Sequence, residues 1–301
     1  MSAADRLLIV GCGYVGARLA TKARNVYRVN ALVRSEARKK ALQELTVAAS
    51  VYDFDHAEPV SDWHADIAGA TIVYLVPPPG DGDSDTRLHL FLHALTGRPK
   101  ALIYFSTTGV YGDTEGGEVD ESTPINPMTS RARRRVSAEE MTRVWCTENE
   151  VRRVIFRVPG IYGPGRLPLE RLRRGEPAIQ STEAGMSNRI HVDDLVAATL
   201  KAIDAPVRGV FNVTDGTQYS ATQYLEKVAA LAGLPLPPQI SMDEARLTLS
   251  PSRMSFLEES RRVSNHRMVR ELGVTPRYAS MEEGIRASLE EERGDRGSVR
   301  S

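Results

Sequence analysis

Short apolar runs alternate with amphipathic stretches through the first half of the chain. Leu7-Leu8-Ile9-Val10 is apolar at every position, a helical segment follows, and a second short run ends at Val33-Arg34. Residues 35–46 place Ala37, Ala41, Leu42 and Leu45 on one side of a helix, the spacing of an element that buries one face. Residues 49–55 read as a short third strand that ends in acid. Residues 70–76 and 101–105 are near-continuous apolar runs, the pattern of strands covered on both faces by helices. Pro77-Pro78-Pro79-Gly80 stops the first of these, because proline cannot donate to a ladder. Residues 85–96 supply the helix between them. Strands that alternate with helices in this way predict an α/β fold with a doubly wound parallel sheet and right-handed crossovers.

The second half is less regular. Residues 109–130 are rich in glycine, proline and acid and read as a long loop. A helix then runs to about Glu148, with Thr129 or Ser130 able to cap it. It carries Arg131, Arg133, Arg134 and Arg135. Residues 151–158 form a strand that Pro159-Gly160 ends. Further helices are expected at 192–203, 220–232, 266–272 and 280–292, with a late strand at 209–213. We therefore expect a core over residues 1–160, a smaller cap lobe over 161–292 interleaved with it, and a frayed polar tail at 293–301. No internal repeat is present.

In such a sheet, ligands bind outside the carboxyl ends of the strands. The first strand leads into Gly11-Cys12-Gly13-Tyr14-Val15-Gly16 and then a helix. This is the order of a dinucleotide-binding unit of Rossmann type. Gly11 permits the tight turn, Gly13 lets backbone approach a pyrophosphate, and Gly16 lets helix and strand pack closely. Free N–H groups of Gly13, Tyr14 and Val15 at the helix start attract phosphate. An NAD site would carry Asp or Glu at the end of the second strand. Arg34 stands there instead, with Ser35 and Arg38 as helpers, which suits a 2′-phosphate. NADP is preferred over NAD on this ground.

Lys+Arg and Asp+Glu are both 39 in 301 residues, a balance that argues against a nucleic-acid or membrane-surface binder. Two cysteines, Cys12 and Cys146, make neither a disulfide framework nor a metal cluster. No run approaches the roughly 18 apolar residues of a membrane span, and no N-terminal stretch has a signal-peptide layout. The expected location is the cytoplasm, and no metal site is expected.

Several segments stand in a fixed order: GCGYVG at 11–16, FSTTGVYGD at 105–113, RVPGIYGPGR at 157–166, NRIHVDDLVAA at 188–198 and RRVSNHRMVRELGVTPRY at 261–278. With these the chain resembles an extended short-chain dehydrogenase/reductase, the family of nucleotide-sugar epimerases and dehydratases. The resemblance implies that Thr107 binds and polarises substrate, donating to an oxygen that gains charge during hydride transfer. It implies that Asp53 contacts the adenine, that Val76 and Pro77 pack on the adenosine ribose, and that Pro159 with its neighbours lines the nicotinamide. It makes His191 a turn and helix cap rather than a base. A homodimer through the 85–97 and 130–148 helices is a further family-level expectation.

One departure from the family is central. The family carries Tyr-x-x-x-Lys on the helix after the long loop, with Tyr as general acid/base. Here no tyrosine lies between Tyr111 and Tyr162, and the lysines after Lys100 are Lys201 and Lys227. With Glu139 as the family's following glutamate, Arg135 stands at the lysine position and Arg131 at the tyrosine position. Arginine keeps its proton at working pH. Arg131 is then an anion or ribose contact, and Tyr162, water or the substrate handles the proton. Two readings follow: an atypical NAD(P)-dependent oxidoreductase or epimerase acting on a small sugar-like or carbonyl substrate, or a non-catalytic NADP(H) sensor or scaffold.

Overall fold

Seven strands form one parallel sheet in the computed structural model, which describes residues 5–55, 67–278 and 280–298. They are β1 (Arg6–Val10), β2 (Arg28–Val33), β3 (Ala48–Val51), β4 (Thr71–Tyr74), β5 (Ala101–Thr107), β6 (Arg152–Val158) and β7 (Gly209–Asn212). Their spatial order is β7-β6-β5-β4-β1-β2-β3. The order reverses between β1 and β4, the switch point at which such sheets open a crevice. Helices α1 (Tyr14–Ala23), α2 (Glu36–Glu44), α3 (Thr86–Ala94) and α4 (Ser130–Glu148) alternate with the strands.

The apolar runs explain the layering. Successive strand side chains point to opposite faces. Leu7, Ile9, Val73, Ile103 and Phe156 pack on one face with Leu19 and Ala23 of α1 and Leu195 of the Val192–Asp204 helix. Leu8, Val10, Ile72, Leu102 and Ile155 pack on the other with Phe91 of α3 and Ala138 of α4. Each such buried aliphatic side chain contributes about 1.5–3 kcal/mol.

Caps fix the helix starts. Ser35 accepts from Arg38 N–H, buried Asp85 from Leu88 N–H, and Thr129 from Ala132 N–H. Of the two cap candidates for α4, Thr129 serves. In contrast, Gly13 opens α1 with no side-chain cap, so the first N–H groups of that helix keep their donors for something else.

Buried charge ties the sheet to α4. Arg157 on β6 donates to both oxygens of Glu139 at 3.1 and 2.8 Å, and Ser106 donates to the same carboxylate. The Arg157 guanidinium lies 4.8 Å from the centre of the Tyr111 ring. Tyr111 in turn donates to Asn212 of β7 at 2.8 Å.

The smaller lobe has its own core. Tyr162, Leu169, Tyr224, Val228 and Ile285 gather between the Ala221–Ala232 and Met281–Ser298 helices. Ser220 and Gln223 form a capping box at the start of the former. The latter continues to Ser298, where the sequence reading ended it at residue 292 and expected a frayed tail; residues 299–301 lie outside the described residues. The 109–130 stretch is also more ordered than a loop. It holds a 3-10 turn at Thr108–Tyr111 and the strand Glu118–Val119, which pairs in parallel with Arg262–Val263. Three short helices, Leu169–Arg173, Met242–Thr248 and Pro251–Leu257, escaped the sequence reading. No helix among the described residues is long and apolar enough to cross a membrane.

Candidate cofactor and substrate site

The glycine turn has a distinct reason for each glycine. Gly11 has φ +83°, and a β-carbon on it would stand 2.8 Å from Val76 N. A side chain is excluded there on two counts. Around Gly13 nothing but Gly11 O comes within 4 Å of that position, at 3.9 Å, so its face is open. A β-carbon on Gly16 would meet Leu75, Cys12 and Ile9 at 3.1–3.2 Å, the close contact of helix with sheet. Arg38 donates to Cys12 O at 2.9 Å and Gly13 O at 2.7 Å. It therefore braces the turn, a task that sequence reasoning did not foresee for a phosphate helper.

A cavity of about 360 Å³ opens over this turn, lined by Gly11, Gly13, Arg34, Asp53, Val76 and Pro77 among others. Arg34 and Ser35 both reach it, and the Arg34 guanidinium has no ion pair or hydrogen bond among the described residues. Ser35 is committed as the α2 cap. Arg87 closes the far wall, gripping Asp55 through two hydrogen bonds of 2.6 and 2.7 Å and donating to Pro77 O at 2.9 Å. Burial pushes the Cys12 thiol up to about 12, so it is no nucleophile.

Two residues of the turn, Tyr14 and Val15, do not line this cavity. Val15 packs against the core. Tyr14 turns its ring to the smaller lobe and donates to Pro164 O at 2.8 Å. Arg166 lies 4.5 Å from that ring's centre.

A second cavity, of about 460 Å³, lies at the end of β5. Thr107, Arg131, Pro159, Arg171, Arg189 and Glu259 line it, together with Arg253, Phe256 and Arg261. Thr107 Oγ1 accepts from Gly109 N–H at 3.2 Å. That local bond uses an acceptor site and leaves the hydroxyl proton for an oxygen in the cavity. The Arg131 guanidinium stacks 3.5 Å over the Phe256 ring. Arg171 and Arg253 both donate to Pro177 O at 2.8 Å. Burial, with Arg253 close by, pushes Arg171 down to about 10, a sign of how much positive charge is crowded here. Behind Arg189, burial pushes the Asp215 carboxyl up to about 6.

Two sequence expectations need correction. Arg135 does not line this cavity. It turns to the sheet and donates to Phe105 O at 2.8 Å and Tyr104 Oη at 2.9 Å, bracing the end of β5. Tyr162 is 1% exposed, and its hydroxyl has no partner among the described residues. It sits in the smaller lobe's core, where a β-carbon on Gly284 would collide with its hydroxyl. Desolvation pushes its phenol far up. It has neither the access nor the acidity of a proton donor.

His191 caps the Val192–Asp204 helix as expected, accepting from Asp193 N–H at 3.2 Å, with Nε2 3.2 Å from Ser288 Oγ. Burial pushes it down to about 4. The unfolded chain protonates at about 6.5, so this residue's contribution to stability is full above that pH. It is lost as pH falls from about 6.5 toward 4. The His191 ring protons are expected to stay unshifted in NMR spectra from pH 8 to 5. A midpoint near the ordinary value would show an accessible ring.

Arg171, Arg189, Arg253, Phe256, Glu259 and Arg261 escaped sequence reasoning. They come from three stretches of chain, at 171, 189 and 253–261, and the fold alone brings them together.

The comparisons agree with this architecture. A conserved protein of unknown function from Silicibacter pomeroyi DSS has a solved structure that superposes with a TM-score of 0.81. It is 30% identical, over 95% of this chain and 99% of that one. Protein YeeZ of Escherichia coli (strain K12) is 33% identical over 157 residues, 51% of this chain and 54% of that protein. The 3-diazoavenalumate denitrifying reductase of Streptomyces sp is 28% identical over 138 residues, 44% of this chain and 45% of that protein. The matches thus span about half the length of these curated relatives. The model of the NAD dependent epimerase/dehydratase family matches residues 7–214, and the chain belongs to that family.

Proposed function

We propose that this chain is an NAD(P)-dependent oxidoreductase or epimerase-like enzyme acting on a small anionic substrate. The observation that carries this reading is the pairing of two cavities along one row of strand ends. One lies over the uncapped α1 start and the glycine turn, and the other is lined by five arginines and one glutamate at the end of β5. The residues suit a dinucleotide: Gly11 leaves room no β-carbon would, Gly13 is open, and α1 offers unclaimed N–H groups. Gly13, Tyr14 and Val15 would hold the pyrophosphate by backbone, Val76 and Pro77 the adenosine, and Pro159 the nicotinamide side. Bound there, the cofactor supplies or accepts hydride.

NADP(H) is the preferred form, because the Arg34 guanidinium lines the cavity and has no other partner among the described residues. Fluorescence titration is expected to show NADPH binding about tenfold or more tighter than NADH, since a charge-assisted contact is worth about 1.5–3 kcal/mol. Arg34→Ala should remove most of that margin, and added salt should narrow it. Equal affinities in the native protein would end the NADP reading. Cofactor oxidation by a panel of anionic aldehydes and ketones separates an enzyme from a protein that only binds NADP(H).

Thr107 is the substrate-polarising donor in this reading. Arg131, at the family's tyrosine position, holds an anionic part of the substrate and moves no proton. Arg135 secures the strand end that carries Thr107.

A further inference from the structure

The arginine-lined cavity holds one carboxylate, and that carboxylate is only half used. Glu259 Oε2 accepts from Arg261 Nη2 at 2.6 Å. Oε1 is buried and has no hydrogen-bond donor among the described residues. The side chain as a whole is 7% exposed. A buried acceptor left bare is costly, more so when charged, so the site is complete only when something brings an N–H or O–H to it.

The opposite deficiency lies elsewhere on the same cavity. The Arg189 guanidinium rests 3.7 Å over the Tyr224 ring, with no ion pair among the described residues and a buried Nε that meets no acceptor. Arg171 Nε also lacks an acceptor, since Glu176 at 3.8 Å is beyond hydrogen-bond reach. One wall therefore wants an anion and another wants a donor. The donor wall is next to the strand end. Thr107 Oγ1 and Glu259 Oε2 lie 3.5 and 4.0 Å from the point a Gly109 β-carbon would occupy.

We infer that the cavity takes a small molecule with an anionic group at one end and a hydroxyl or ammonium donor at the other. Arg171 and Arg189 hold the anion, and Glu259 Oε1 reads the donor. This rests on the reading of the cavity as the substrate cleft. Glu259 is then a specificity residue that favours acids carrying the donor, because a ligand without one leaves its buried oxygen unsatisfied.

Calorimetric titration of the full chain tests this with n-alkyl phosphates from ethyl to pentyl, each beside its ω-hydroxy and ω-amino counterparts. At a matching length, the hydroxy or amino compound is expected to bind about tenfold tighter than its alkyl parent. Glu259→Gln should abolish the ammonium preference, and Glu259→Ala both preferences. Arg189→Ala should weaken all three types alike. A parallel carboxylate series identifies which anion is favoured. Equal affinities at every length, a preference that survives Glu259→Ala, or no binding in either series overturns the inference. NADPH affinity is read separately: unchanged values certify that the variants are folded. A native protein that fails to bind NADPH would sink the cofactor reading while leaving the anion result standing.

Discussion

Glu139→Ala is expected to lower the unfolding free energy by about 3–5 kcal/mol, the loss that follows when one partner of a buried ion pair is removed. The substitution leaves Arg157 charged and almost fully buried on β6, where the pair's side chains are 7% and 10% exposed. It also strips Ser106 of its acceptor. The damage reaches three strands and α4 at once, since Arg157 also stacks on Tyr111, which reaches Asn212. Urea denaturation reads the effect. Arg157→Met combined with Glu139→Leu should recover a large part of the loss, because the cost lies in the uncompensated charge rather than in the missing attraction. A loss below about 1 kcal/mol for Glu139→Ala would mean that water reaches Arg157.

Gly11→Ala should damage both fold and cofactor binding. Alanine at φ +83° costs about 1–2 kcal/mol by itself. Its β-carbon would also press on the Val76 backbone at 2.8 Å, and backbone does not move aside as a long side chain does. Crowding of this kind adds about 1–3 kcal/mol. Gly13→Ala provides the contrast. The space around it is open, while its ψ of −140° at φ −85° lies outside the regions that residues with a β-carbon favour. Stability should fall by about 1–3 kcal/mol through backbone strain alone, less than at Gly11 where crowding adds to it, while NADPH affinity falls because the methyl group stands where backbone meets the pyrophosphate. Thermal melts and NADPH titrations of the two variants separate the roles. Equal loss of stability in both would refute this division.

Signals that live within a few residues were readable from the chain. The strands β1, β4 and β5 announce themselves as apolar runs because both faces of the sheet are covered. The roles of Gly11 and Gly16 follow from a local turn and a local helix–strand contact. His191 as a cap was legible too. What failed depended on distant partners. Arg135 sits where a helix-face argument aims it at the site, yet two oxygens on β5 draw it to the sheet. Tyr162 follows a Pro-Gly strand end, the place where site residues collect, but the Met281–Ser298 helix covers it. The arginine cluster left no trace in spacing, since a lone arginine in a polar segment reads as a solvated charge. Glu259 carries no local sign of burial, since the fold alone encloses it.

The parallel pairing of Glu118–Val119 with Arg262–Val263 has a consequence for how the chain matures. The contact joins segments far apart in sequence, so a large loop must close before it forms. The glycine turn, by contrast, draws on β1, β2 and the end of β4, all early in the chain. A nascent chain can assemble the cavity over that turn while its last third is still being made. The cavity that needs Glu259 and Arg261 comes into being only when the C-terminal segment docks, so on the proposed reading the cofactor pocket is built before the substrate cleft.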